Sequence, residues 1–204
     1  MNPTETQSDT ISQLKAAKTA SRKLAKSTND ERNKALEFIA KELIESKDKI
    51  LLANKTDIEE GKNNNLSDAL LDRLLIDERR LLGMTASIKK IILQPDPISH
   101  VLASWKHPQG MTIEKVSVPL GVICVIYEAR PNVTTDAVSL AIKSGNAIVL
   151  RGSQHATNSN QEIVNVIHRA LETLHTTSLQ TKWYLEKPDL KAINNLGSFI
   201  TQRK

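Results

Sequence analysis

The chain has 204 residues, 39% apolar, 25% charged and 3% aromatic, proportions that exclude collagen-like structure and wholesale disorder. The length admits one domain or two small ones and suffices to bury a core. The net charge of +5 is spread thinly: residues 1–60 hold 11 basic and 11 acidic side chains, residues 61–120 hold 8 and 6, and residues 121–204 hold 9 and 6. No Lys/Arg run is interleaved with aromatics, so the excess reads as solvated surface and no nucleic-acid partner is expected. No apolar run approaches the roughly 20 residues that span a bilayer, so no membrane partner is expected either. The polar start, MNPTETQSDTISQLK, has no apolar h-region, and the single cysteine, Cys124, cannot close an internal disulfide. Both features point to a cytoplasmic location.

The first half carries helical periodicity. Ile11, Leu14, Ala17 and Leu24 recur at helical spacing, and the segment from Asp30 repeats it through Ala35, Leu36, Ile39, Ala40, Leu43 and Ile44, with Asn29 as N-cap. Ser46 is placed to cap a further helix through Ile50, Leu51 and Ile58, stopped by Gly61 before the polar loop Lys62-Asn63-Asn64-Asn65. Ser67 opens another helical run to Leu75, and Asp77 opens one through Leu81, Met84, Ile88 and Ile91 that Pro95 and Pro97 end.

After Pro97 the period becomes that of strands. Val101–Lys106 and Met111–Val118 flank His107-Pro108-Gln109-Gly110 and read as a hairpin. Val122–Tyr127 is a continuous apolar run, which predicts a strand covered on both faces of a parallel sheet. A helix from about Thr134 to Lys143, a strand Ala147–Leu150 and a helix from about Asn158 to Leu174 follow, then a strand over Thr181–Leu185 and a short helix near Leu190–Leu196. This order predicts an α/β fold: N-terminal helices, a β-hairpin arm and an incomplete Rossmann-like parallel sheet with right-handed crossovers. The expected divisions are 1–97, helical; 98–120, hairpin arm; and 121–204, partial α/β nucleotide-binding unit.

Neither GxGxxG nor GxxxxGK[ST] occurs, and the five histidines, 100, 107, 155, 168 and 175, form no pair of familiar metal-ligand spacing. Cys124 lies inside the apolar run, where burial keeps a thiol protonated and makes a small core residue the better reading than a nucleophile. Two segments stand at predicted carboxyl ends of strands, where open α/β sheets bind ligands. In the first, Asn132 offers an amide to a developing oxyanion, or serves as an ordinary helix N-cap; spacing leaves both open. In the second, Gly152 permits close backbone approach, and Arg151 with Ser153 suits a phosphate or ribose.

Ala53-Asn54 with Asp57, Asp72-Arg73-Leu74, Asp96-Pro97, Val118–Val122, Tyr127–Thr134 (Tyr-Glu-Ala-Arg-Pro-Asn-Val-Thr), Ser144-Gly145-Asn146-Ala147 and Leu150-Arg151-Gly152 occur in one order. From about Ala16 to His155 the chain resembles the γ-glutamyl phosphate reductases, or glutamate-5-semialdehyde dehydrogenases, the proline-biosynthesis branch of the aldehyde dehydrogenase superfamily. The resemblance implies that Asn132 helps form the oxyanion hole. It implies that Glu128, Ala129 and Pro131 lie beside the cofactor, and that Arg151, Gly152, Ser153 and Gln154 hold its adenosine ribose. Gln154 stands where NAD-preferring relatives often carry a glutamate, so NADPH is the expected cofactor and L-glutamyl 5-phosphate the expected substrate.

The hairpin resembles part of the superfamily's oligomerisation arm, so a homo-oligomer or a complementing C-terminal fragment is an expected partner. The sequence also departs from the pattern. The family's nucleophilic cysteine lies in a later catalytic domain that this sequence does not include, and Cys124 stands where glycine is common. Ile98-Ser99 replaces Val-Gly, and the match fades from about Thr176, with Leu190 in place of an arginine. Two readings follow: an NADPH-dependent reductase of L-glutamyl 5-phosphate, or a catalytically inactive remnant that binds nucleotide or dimerises.

Overall fold

Thr28, not Asn29, opens the second helix. Its hydroxyl accepts from the Glu31 amide (3.2 Å) while its own amide donates to the Glu31 carboxylate (2.7 Å), a reciprocal box that satisfies two orphan donors. Asn29 becomes the first helical residue. The computed structural model describes residues 3–173, with side chains from Ile11 onward. The expected strand at Thr181–Leu185, the helix near Leu190–Leu196 and His175 lie outside the described residues.

In chain order the helices of the first half are α1 (Pro3–Leu24), α2 (Asn29–Glu45), α3 (Lys47–Asn63), α4 (Asp68–Leu74) and α5 (Glu78–Ile92). Asp77 caps α5 by accepting from the Arg80 amide at 2.6 Å. Two local expectations need correcting. Gly61 does not stop α3, which runs to Asn63, so Lys62 and Asn63 are helical; the left-handed residue that turns the chain is Asn65, at φ 55°. Ser46 stands at the N-cap of α3 but makes no side-chain cap bond there. Its hydroxyl instead donates to Glu42 (3.3 Å) and accepts from Arg169 (3.1 Å).

The hairpin forms from β1 (Val101–Lys106) and β2 (Thr112–Val116), antiparallel, with Lys106 opposite Thr112. Gly110, at φ 86°, supplies the left-handed turn residue between them. Every residue of β1 is exposed, Leu102 at 57% and Trp105 at 50% included. Its base is tied by Ser117, whose hydroxyl donates to the Pro97 carbonyl (2.6 Å) and accepts from the His100 amide (3.0 Å).

The α/β part follows as β3 (Val122–Ile126), α6 (Asn132–Lys143), β4 (Ala147–Arg151), a single 3-10 turn at Gln154–Ala156 and α7 (Thr157–Thr173). Strands β3 and β4 pair in parallel, from Val122 opposite Ala147 to Ile126 opposite Arg151. The expected burial of β3 on both faces is not observed. Cys124 and Ile126 are exposed, and the other three residues are only partly covered, because among the described residues the sheet has two strands and β3 has one neighbour.

One core serves both halves. Leu36, Ile39 and Leu43 of α2, Ile50 of α3 and Ile88 of α5 join Ile142 of α6, Leu150 of β4, and Ile163 and Ile167 of α7 in a single buried cluster. The helical first half is therefore one wall of the α/β unit. Lys143, buried at the end of α6, fastens the two by donating to Asn29 (3.1 Å), Asn33 (2.8 Å) and the Ile92 carbonyl (3.0 Å). Burial pushes its ammonium below the ordinary lysine value.

Candidate functional site

Parallel pairing sets the carboxyl ends of β3 and β4 side by side, and the Tyr127 amide extends the ladder by donating to the Arg151 carbonyl at 3.0 Å. The two segments singled out in the sequence therefore leave the sheet at neighbouring points. From β3 come Glu128, exposed; Ala129, buried; Pro131, buried; and Asn132, exposed. From β4 come Arg151, Gly152 and Ser153, half-buried, and Gln154, exposed.

Pro131 holds the N-cap position of α6, so Asn132 is its first helical residue and not its cap. Its amide nitrogen donates to the Asp136 carboxylate one turn on, at 3.2 Å. Burial pushes the Asp136 carboxyl above its ordinary value, and the bond from Asn132 opposes that shift. An amide carries two N–H groups, so one of those on Asn132 remains available to a carbonyl oxygen.

On the β4 side, the Ser153 hydroxyl accepts from the His155 amide (3.2 Å) and so caps the 3-10 turn. The Arg151 guanidinium makes no hydrogen bond or ion pair among the described residues. Gly152 has a packing role in the structure. A Cβ there would collide with the Asn160 amide nitrogen and stand 3.0 Å from the Tyr127 hydroxyl. The close approach is made by the protein's own side chains. Tyr127, Thr134 and Asn160 form a chain of hydrogen bonds behind the glycine, 2.5 Å and 3.0 Å long, and burial pushes the Tyr127 phenol above its ordinary value.

Two residues of the Ala53-Asn54/Asp57 motif brace this region from α3. Both are buried. Asp57 accepts from the Asn158 amide (3.0 Å), the Asn158 side chain (2.9 Å), the Ser159 amide (2.8 Å) and the Ser159 hydroxyl (2.5 Å). It thereby caps the first turn of α7 from another helix. Asn54 donates to the Leu74 carbonyl (2.8 Å) and to the Ser159 hydroxyl (3.0 Å), and accepts from the Ile76 amide (2.7 Å). The α4–α5 junction and the start of α7 are thus held by one amide.

On the other side of Asn132 opens a cleft of about 450 Å³, walled by Asp72, Arg73, Arg80, Gly83, Met84 and Ser87 from α4 and α5, and by Arg130, Pro131, Asn132 and Asp136. Sequence reasoning assigned no role to Arg73, Arg80, Arg130 or Asp136, although Arg73 and Arg130 sit in quoted motifs and Asp136 follows Asn132 at helical i,i+4 spacing. Cys124 does not line the cleft. It is exposed on β3, contrary to its expected burial, and desolvation still pushes its thiol above the ordinary value.

The aldehyde dehydrogenase family model matches residues 2–201. The chain is 46% identical over 164 residues to a gamma-glutamyl phosphate reductase of Bacillus mycoides and 47% identical to one of Bacillus cereus, covering 80% of itself and 40% of each. Among solved structures it is similar to the gamma-glutamyl phosphate reductase of Thermotoga maritima, at 35% identity and TM-score 0.85 over 91% of this chain and 45% of that one. It is also similar to the Saccharomyces cerevisiae enzyme of that name, at 30% identity and TM-score 0.77 over 81% and 42%. The chain spans about 40% of the length of the curated relatives it matches.

Proposed function

The chain belongs to the aldehyde dehydrogenase family, and from that membership we propose that it forms the NADPH-binding part of an oxidoreductase that reduces L-glutamyl 5-phosphate to L-glutamate 5-semialdehyde. The observation that carries the reading is the parallel β3–β4 pair, which sets the Asn132 and Arg151 segments at adjacent strand ends. The residues present suit the cofactor's chemistry. Arg151 is half-buried beside a strand end with no anionic partner among the described residues, and Ser153 and Gln154 add hydrogen-bonding groups without negative charge. A guanidinium fork matches a 2′-phosphate, and the missing carboxylate removes the repulsion that would exclude it. Glu128, Ala129 and Pro131 form the neighbouring loop, and Gly152 lets Arg151 and Ser153 leave the sheet past Tyr127 and Asn160. When bound, NADPH supplies the hydride.

Asn132 acts on the substrate side. Its free N–H donates to the acyl oxygen as negative charge builds there, while the bond to Asp136 holds the amide in place. Cys124 lies outside the cleft that Asn132 lines, so we assign it no nucleophilic role. For these 204 residues alone we propose nucleotide binding without turnover. The segments 1–97, 98–120 and 121–204 then serve as supporting wall, contact arm and nucleotide unit. The exposed hairpin is the surface for a second copy or for a complementing C-terminal fragment.

Calorimetry at matched salt tests the cofactor site. NADPH is expected to bind better than NADH, and Arg151→Ala to weaken NADPH by about tenfold or more, the cost of losing one charge-assisted contact. Equal affinity in the two proteins, or a preference for NADH, overturns the assignment of Arg151 and Gln154.

A further inference from the structure

We infer that the cleft between α4, α5 and the first turn of α6 is an anion subsite, in which Arg73 and Arg130 hold a phosphate or carboxylate group of the substrate. The identity of that substrate rests on the function proposed above; the presence of the anion site does not.

Three arginines line the cleft, and their commitments differ. The Arg80 guanidinium is spent on the protein: it donates to the Asp72 carboxylate at 2.6 Å and to the Leu75 carbonyl at 2.9 Å, and also reaches the Asp72 carbonyl. Arg80 and Asp72 therefore cancel in charge. The Arg73 and Arg130 guanidinium groups make no hydrogen bond or ion pair among the described residues. The remaining acid, Asp136, already accepts from Asn132. Two uncommitted guanidinium groups thus face one carboxylate, and the cleft carries a positive balance.

Planar guanidinium forks suit phosphate and carboxylate better than any neutral ligand. The volume of about 450 Å³ lies in the range of small-molecule sites, roughly 300–1,000 Å³. Asn132 lines the same cleft, so an anionic group held there keeps the acyl carbon near the amide that polarises it. L-Glutamyl 5-phosphate has two anionic ends, its α-carboxylate and its phosphate, and the cleft has two arginines whose guanidinium groups are uncommitted among the described residues. Arg151 is not among the cleft residues, so cofactor and substrate anions have separate partners.

The test is an amide NMR titration of the 204-residue protein at constant ionic strength, with inorganic phosphate in one arm and L-glutamate in the other. Saturable shifts are expected at Arg73, Arg130 and Asn132. Arg73→Gln and Arg130→Gln are each expected to weaken binding about tenfold or more, and Arg130→Lys, which keeps charge but loses the fork, by less. Saturation by phosphate alone assigns the subsite to the phosphoryl end, by glutamate alone to the carboxylate, and by both to either end; each supports the site. No saturable shift in either arm, or unchanged affinity in both Gln variants with native spectra, overturns it. NADPH is titrated separately: cleft shifts that persist in Arg151→Ala, or in a protein that binds no NADPH, support the anion site even where the cofactor reading fails.

Discussion

Removing the Asp57 carboxylate should cost the chain a large part of its stability. Asp57 is 1% exposed and accepts four hydrogen bonds from Asn158 and Ser159, two of them from backbone amides of the first turn of α7. Those amides have no intrahelical acceptor, so α7 depends on α3 for its cap. In Asp57→Ala the Asn158 side chain can turn to water, but the Ser159 amide and hydroxyl stay buried. Each buried donor left without its charged acceptor costs about 1–3 kcal/mol, and we expect a total of about 3–5 kcal/mol. A domain of this size is stable by about 5–15 kcal/mol, so the variant should unfold at much lower denaturant. Urea unfolding followed by far-ultraviolet circular dichroism measures the loss, with the m-value compared first to confirm equivalent transitions. Asp57→Asn keeps one acceptor oxygen and turns an NH₂ toward the other donors, so its loss should be intermediate. A loss below about 1 kcal/mol in Asp57→Ala would refute the cross-helix cap.

Ser99 adopts φ 58°, in the left-handed region that costs a non-glycine residue about 1 kcal/mol, so Ser99→Gly should raise the melting temperature; a lower one would count against strain at this position. Gly152→Ala should lose about 1–3 kcal/mol through the clash with Asn160 and Tyr127, and a thermal melt matching wild type would show that the two side chains yield freely. Cys124 should consume one equivalent of an aromatic disulfide reagent in native buffer, faster as pH rises toward its elevated pKa; labelling that requires denaturant would contradict its exposure on β3.

Legibility in the sequence depended on the range of the interaction. The helical runs to Leu75 and from Asp77 were readable because apolar spacing and a capping side chain lie within a few residues of each other, as the Asp77–Arg80 cap shows. The hairpin and the parallel β3–β4 order followed from strand runs, turn residues and crossover length. Misplaced details had competitors of equal local quality. Thr28 and Asn29 are both capping residues, and only the reciprocal bond with Glu31 chooses between them. The apolar run at Val122–Tyr127 carries no information about how many strands flank it, so the run implies a buried Cys124 where the structure exposes it.

The strand ends that carry the candidate site were legible, and the contacts that support them were not. A strand end followed by a helix start marks Asn132, and the same pattern marks Arg151–Gln154, because both signals are local. Asp57 lies about one hundred residues from Asn158 and Ser159, and no spacing rule links them. Arg73 and Arg130 come from α4 and from the turn before α6, and they face one cavity only because α5 packs on α6. The resemblance motifs accordingly divide by what their residues touch. Asn54 and Asp57 hydrogen-bond the first turn of α7, and Tyr127 and Gly152 pack together against Thr134 of α6 and Asn160 of α7, whereas Asn132, Arg130 and Arg73 line the cleft and the Arg151 guanidinium has no partner among the described residues. Substitutions in the first group should therefore change stability and binding together. Substitutions of the arginines in the second group should change binding at one site with little effect on the melt, and that contrast separates support from contact without knowledge of the complete reaction.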